Sequence, residues 1–76
     1  MKYKVGDKVI PRKDLVLYVD YPMEEDPTEV NDMTKEMLEL AERDFLTIEV
    51  ADRQYMVAES DRPWGWTDSM FVGLFE

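Results

Sequence analysis

Apolar and polar positions along this chain change their spacing twice, which divides it into three stretches. In the first, Lys8-Val9-Ile10-Pro11-Arg12 follows the turn-forming pair Gly6-Asp7 and reads as a strand. Pro11 has no N–H to give to a ladder, which places it at a sheet edge or a strand end. No clean period holds from Asp14 to Thr28, where Pro22 and Pro27 bracket Glu24-Glu25-Asp26, although Leu15-Val16-Leu17-Tyr18-Val19 is apolar enough to pair as a short strand. A helical period then takes over. Val30, Met33, Met37 and Leu40-Ala41 recur at steps of three and four, predicting a helix near 29–42 capped by Thr28 or Asn31.

The last third returns to strand-like composition. Phe45 to Val50 is rich in β-branched and aromatic residues, Ala51-Asp52-Arg53 is a short turn, and Gln54 to Glu59 is the returning strand of a hairpin. Ser60-Asp61-Arg62-Pro63 is a second turn. Trp64-Gly65-Trp66-Thr67 reads as the next strand, with both indoles on one face because side chains alternate. Asp68-Ser69-Met70 makes a tight turn before a terminal strand, Phe71 to Phe75. The expected fold is mainly β with one helix. Five short strands close into a small SH3-like barrel, which removes exposed sheet edges, and the helix is inserted in the long first loop. Residues 1–76 form one domain, with an acidic loop-plus-helix insertion at about 16–44.

Composition changes this picture in two ways. A chain of 76 residues hides only about 60–65% of its unfolded surface, so a compact core of aromatic and Met side chains must supply its stability. With no cysteine and no histidine, disulfides, thiolate zinc sites and cysteine or histidine catalysis are excluded. Charge is the second. Eighteen acids against nine bases give a net charge of -9, and its distribution is uneven. Residues 1–15 carry +3, residues 16–44 carry -8 and residues 45–76 carry -4. No stretch approaches the roughly 18 apolar residues of a membrane span, and Met1-Lys2-Tyr3-Lys4 is not followed by the apolar run of a secretory signal. The expected compartment is therefore the cytoplasm.

Lys4-Val5-Gly6-Asp7-Lys8-Val9, Leu46-Thr47-Ile48 and Trp64-Gly65-Trp66-Thr67-Asp68-Ser69-Met70-Phe71 resemble a group of small SH3-like proteins encoded by phages and prophages of Gram-positive bacteria, mostly uncharacterised. The W-x-W-T-D-x-M-F ending is the most specific part of the likeness. Residues 16–36 fall outside it, being more acidic and lacking the glycines of that group's loop. The resemblance implies the fold, a viral origin and hence the host cytoplasm. It implies no activity.

Catalytic chemistry is hard to build from what remains. Asp, Glu, Lys, Tyr, Ser60 and Ser69 are the available acids, bases and nucleophiles, and so short a chain leaves little wall for a cleft that would tune them. We expect no enzyme and no cofactor. The acids from Asp20 to Asp32 lack the spacing and central glycine of a calcium loop, so no metal site is expected. Trp64, Trp66 and Tyr55 next to the basic first strand have the makings of a base-stacking platform, but the net charge opposes phosphate binding and a small barrel needs these rings inside.

The acidic middle third is the remaining candidate. Asp20, Glu24, Glu25, Asp26, Glu29, Asp32, Glu36 and Glu39 form the expected partner-binding surface. On the predicted helix, Glu29, Asp32, Glu36 and Glu39 would repeat about every 5 Å, close to the phosphate spacing of a DNA strand. Such a DNA mimic would dock on a basic protein surface, including one made for nucleic acid, and inhibit or modulate its owner. Two alternatives stand beside it. Leu17-Tyr18-Val19-Asp20-Tyr21 resembles the peptide-binding loop of signalling SH3 domains, giving an adaptor groove of Tyr18, Tyr21, Trp66 and Phe71. The chain is otherwise a phage structural or assembly component. Oligomeric state is left open.

Overall fold

Gly6 takes a φ of +93°, and there the chain reverses: Asp7 N–H reaches Lys4 C=O at 3.0 Å, while the Asp7 carboxylate accepts from Lys4 N–H at 3.1 Å. From that turn the computed structural model, which describes residues 1–76, runs through strand β1 (Lys8–Pro11), the short strands β2 (Asp20–Pro22) and β3 (Val30–Asp32), and helix α1 (Lys35–Leu40). Strands β4 (Leu46–Asp52) and β5 (Gln54–Val57), a 3₁₀ turn (Asp68–Met70) and strand β6 (Phe71–Leu74) complete it.

The architecture is mainly β with one short helix. Strands β5, β4, β1 and β6 form, in that order, an antiparallel four-stranded sheet, and β2 pairs with β3 as a separate two-stranded sheet. Because β1 lies inside the larger sheet, Pro11 is tolerated as a strand end, at a register shift opposite Phe71. The β4–β5 hairpin turns at Arg53, which sits at φ 60° between the paired Asp52 and Gln54.

One contiguous core joins both sheets to the helix. Trp66 is fully buried and stacks on Phe71, with ring centroids 5.7 Å apart and planes 14° from parallel. Tyr3 meets Tyr55 and Phe71 edge-on, each at 5.8 Å. Met23, Met33, Met37 and Met70 fill the space between these rings and the aliphatic residues of β1, β4 and β5, as flexible thioethers do in an irregular core.

Three expectations change. The predicted helix loses its first six residues: α1 begins after Thr34, whose hydroxyl accepts from Met37 N–H at 3.2 Å, so neither Thr28 nor Asn31 is the cap. Val30 and Asn31 instead pair with Pro22 and Tyr21 across the hairpin. The inward spacing survives at Met33, Met37 and Ala41, all buried, and at Leu40, half-buried against the core, whereas Val30 faces solvent. Secondly, Leu15–Val19 is not a strand. It makes one parallel bridge, Leu17 to Met33, and turns at Tyr18 before β2 starts at Asp20. Lastly, the Trp64–Thr67 strand shrinks to one bridged pair, in which Tyr55 and Trp66 exchange backbone hydrogen bonds of 2.8 and 2.7 Å. On either side of Gly65 the ladder is interrupted: Trp64 N–H folds back across Pro63 on Arg62 C=O, and Gly65 C=O is taken by the Asn31 amide. The strands therefore form two sheets and not one closed five-stranded barrel.

Candidate functional site

The structure splits the predicted acidic surface into three groups. Glu24, Glu25, Asp26 and Glu29 belong to the turn between β2 and β3, whereas Glu36 and Glu39 share α1. The four-carboxylate helical row of Glu29, Asp32, Glu36 and Glu39 does not form, because Glu29 and Asp32 precede the Thr34 cap. Only its last two members lie on a helix. They border a depression of about 320 Å³ with Arg43, Glu59 and Asp61, so the turn after β5 contributes acids that the sequence did not associate with the helix.

Asp20 and Asp32 make a third arrangement. They are directly opposite in the β2–β3 ladder, so their side chains share a face, while the neighbouring pair Tyr21 and Asn31 points the other way. Like charges placed opposite destabilise a hairpin, and no cation pairs with either carboxylate.

The hairpin is held against the larger sheet by polar links. Asn31 Nδ2 donates to Gly65 C=O at 2.8 Å and to Gln54 Oε1 at 3.2 Å, and Gln54 Nε2 donates back to Val30 C=O at 3.2 Å. A Cβ at Gly65 would push both amides out of these hydrogen bonds. Ser69 Oγ donates to Pro22 C=O at 2.6 Å. Asp68, 2% exposed, is the one buried carboxylate, and its Oδ1 accepts from Glu24 N–H at 2.8 Å. The sequence places Asp68 in a tight turn and in the W-x-W-T-D-x-M-F ending but gives its carboxylate no partner; that partner lies 44 residues away, and no local pattern announces it.

Few of the charges neutralise one another. Lys2 lies 3.5 Å from Glu24, the Met1 amine 3.6 Å from Glu25, and Arg12 2.9 Å from Asp14. Hydrogen bonding from Arg12 holds the Asp14 carboxyl below its usual range. Lys13 meets no acid; its ammonium caps the helix end by donating to Ala41 C=O at 2.7 Å and Arg43 C=O at 2.6 Å. Burial raises the Tyr3 and Tyr55 phenols above their ordinary value.

The adaptor groove is not present. Tyr21, Trp66 and Phe71 are buried and only Tyr18 is exposed, so the four rings do not line one surface. Tyr55 and Trp66 are likewise core residues with no face open to a base. Trp66, Thr67, Asp68, Met70 and Phe71 are all buried and Trp64, Gly65 and Ser69 are half-buried, so the distinctive ending mainly builds core and turn. No three carboxylates converge on a point where a metal ion would sit, and no helix is long and apolar enough to cross a membrane. No protein-family model, curated protein or solved structure matches this chain.

Proposed function

We propose that this chain is a non-enzymatic acidic protein that docks on a basic surface of a partner protein, including one made to hold nucleic acid, and inhibits or modulates it. The observation that carries this reading is the scarcity of internal neutralisation: 18 acids share three ion pairs. The hairpin and helix hold most of the excess, outside the four-stranded sheet. A field of that kind speeds encounter with a positive partner and is weakened by salt. If the resemblance to phage proteins reflects origin, the partner is a host protein and the site of action the host cytoplasm.

We also read the frame as an SH3-like barrel with its last pairing reduced. The order β6-β1-β4-β5, extended by Trp66 beside Tyr55, supports this, as does the 3₁₀ turn ahead of the final strand.

Affinity capture from host lysate at low and high salt tests the functional reading. We expect a partner that salt elutes and that is lost when Glu24, Glu25, Asp26, Glu36 and Glu39 are changed to their amides. A partner indifferent to both treatments would remove the electrostatic mode. The assembly-component reading is favoured by one feature, the outer strand β6, on which Val72 and Leu74 are 66% and 52% exposed. Self-association at micromolar concentration, seen by size-exclusion chromatography, would select it instead.

A further inference from the structure

Four consecutive apolar residues, Val16, Leu17, Tyr18 and Val19, stand 54%, 39%, 71% and 43% exposed. A run of this kind is costly to leave in water unless something covers it. It is not a loose loop. Val16 N–H donates to the Tyr21 hydroxyl at 2.9 Å, Tyr18 N–H to Met33 C=O at 2.9 Å, and Val19 N–H to Val16 C=O at 3.3 Å. The turn is therefore fixed at both ends and in its middle. Tyr18, at its apex, adopts a φ of 61°, a conformation that a bulky side chain avoids. These bonds hold the strained residue while its ring stays in solvent, where it gains no packing in return.

The base of the same turn carries charge. Asp20 follows Val19 directly, and the Leu17–Met33 bridge brings the turn beside Asp32. Asp20 and Asp32 face each other with no cation between them. A guanidinium or ammonium placed there would relieve their repulsion and meet two acceptors at once.

We infer that the Val16–Val19 turn with the Asp20–Asp32 pair is a single docking element, and that it fits a protein surface carrying an apolar pocket for the Tyr18 ring beside an Arg or Lys for the two carboxylates. An exposed ring on a preordered turn loses little freedom on binding, the property of an interface anchor. The paired acids supply charge complementarity and select the basic rim. This inference rests on the reading of the chain as a binder of basic protein surfaces. It names a different part of the molecule from α1, and it gives binding an apolar anchor that salt does not screen.

A photo-crosslinking phenylalanine analogue at position 18, introduced into the full chain inside host cells, provides the test, with the adducts mapped by mass spectrometry. We expect one dominant protein adduct, joined at a segment where an Arg or Lys neighbours apolar residues. Its yield should fall about tenfold or more when Asp20→Asn and Asp32→Asn are added. The same analogue at position 72 should give no such adduct. Adducts scattered over many proteins, an adduct to lipid, nucleic acid or a second copy of this chain, or a yield indifferent to the two aspartates would overturn the inference. A second measurement needs no partner: Tyr18→Gly should leave the melting temperature unchanged or raise it, since strain is removed and no packing lost. A clear drop would show that Tyr18 serves the fold and would also overturn it. Salt-sensitive capture that persists in Tyr18→Ala would sink this inference while leaving the broader reading intact; absence of any salt-sensitive capture would sink both.

Discussion

The four-stranded sheet and the excursion between β1 and β4 are stabilised by different physics. Rings and aliphatic side chains close over one another in the sheet, where Trp66, Tyr55, Leu46 and Ile48 are buried and β-ladders satisfy the backbone. Residues 12–45 contribute few large buried groups, chiefly Tyr21 and three methionines, and are tied down by polar contacts to distant backbone: Asn31 to Gly65, Asp68 to Glu24, Ser69 to Pro22, Lys13 to Ala41. Burial is non-directional and sums over many contacts, whereas each polar link is worth about 0.5–1.5 kcal/mol and depends on one geometry. The frame should therefore fail as a unit, and the excursion one link at a time.

That contrast can be broken at either end. Trp66→Ala removes the largest fully buried side chain and should cost about 3–5 kcal/mol, enough to leave so small a domain largely unfolded by circular dichroism. Asp68→Ala should cost less, about 1–3 kcal/mol in urea unfolding, because it empties a buried site and leaves the part-buried Glu24 N–H without its acceptor. If the two regions are as separate as described, hydrogen exchange in this variant rises in β2 and β3 before it rises in β1 or β4. Uniform exchange would mean that the hairpin and the sheet open together. Thr34→Ala should cost about 1 kcal/mol and raise exchange only in α1, since it deletes the N-cap bond to Met37.

Solvent pH separates the regions with smaller effects. The Tyr3 and Tyr55 phenols are raised in the folded protein, so they contribute stability that is complete below the unfolded phenol value of about 10 and is lost as pH rises through the folded values. Thermal melting should fall across that window, and Tyr55→Phe should flatten the fall. Asp14 has the opposite sign. Its carboxyl is lowered by Arg12, so its contribution is present above about 3.9 and disappears as pH drops through the folded value. Arg12 and Asp14 lie at the surface, and Asp14→Asn should alter the acid limb of the melting curve only slightly.

The sheet was legible because its information is local. Gly6-Asp7, the β-branched run from Leu46, the turn at Arg53 and the Asp68-Ser69-Met70 turn each announce themselves within a few residues. The hairpin was not, since β2 and β3 have three residues each and are placed by side-chain contacts to Gln54 and Gly65 far along the chain. Val30 misled the helix assignment in a specific way: it continues the spacing of Met33 and Met37, yet it faces solvent on a strand. The number of carboxylates in the candidate surface could be read directly. Their arrangement depended on where the helix starts, and Thr34 competes for that role with Thr28 and Asn31 on composition alone. Asp20 and Asp32 looked unrelated in sequence and become neighbours only through the register of a hairpin.

Lys13 closes the excursion like a clasp. Its ammonium holds the carbonyls of Ala41 and Arg43, so a segment of about thirty residues leaves the sheet and returns beside its own point of departure. The cost of closing such a loop grows only slowly with its length. A lineage could exchange, lengthen or recharge everything inside the clasp while inheriting the sheet unaltered. The frame would then act as a standard mount, and the acidic insert as the interchangeable piece on which selection for a new partner can work.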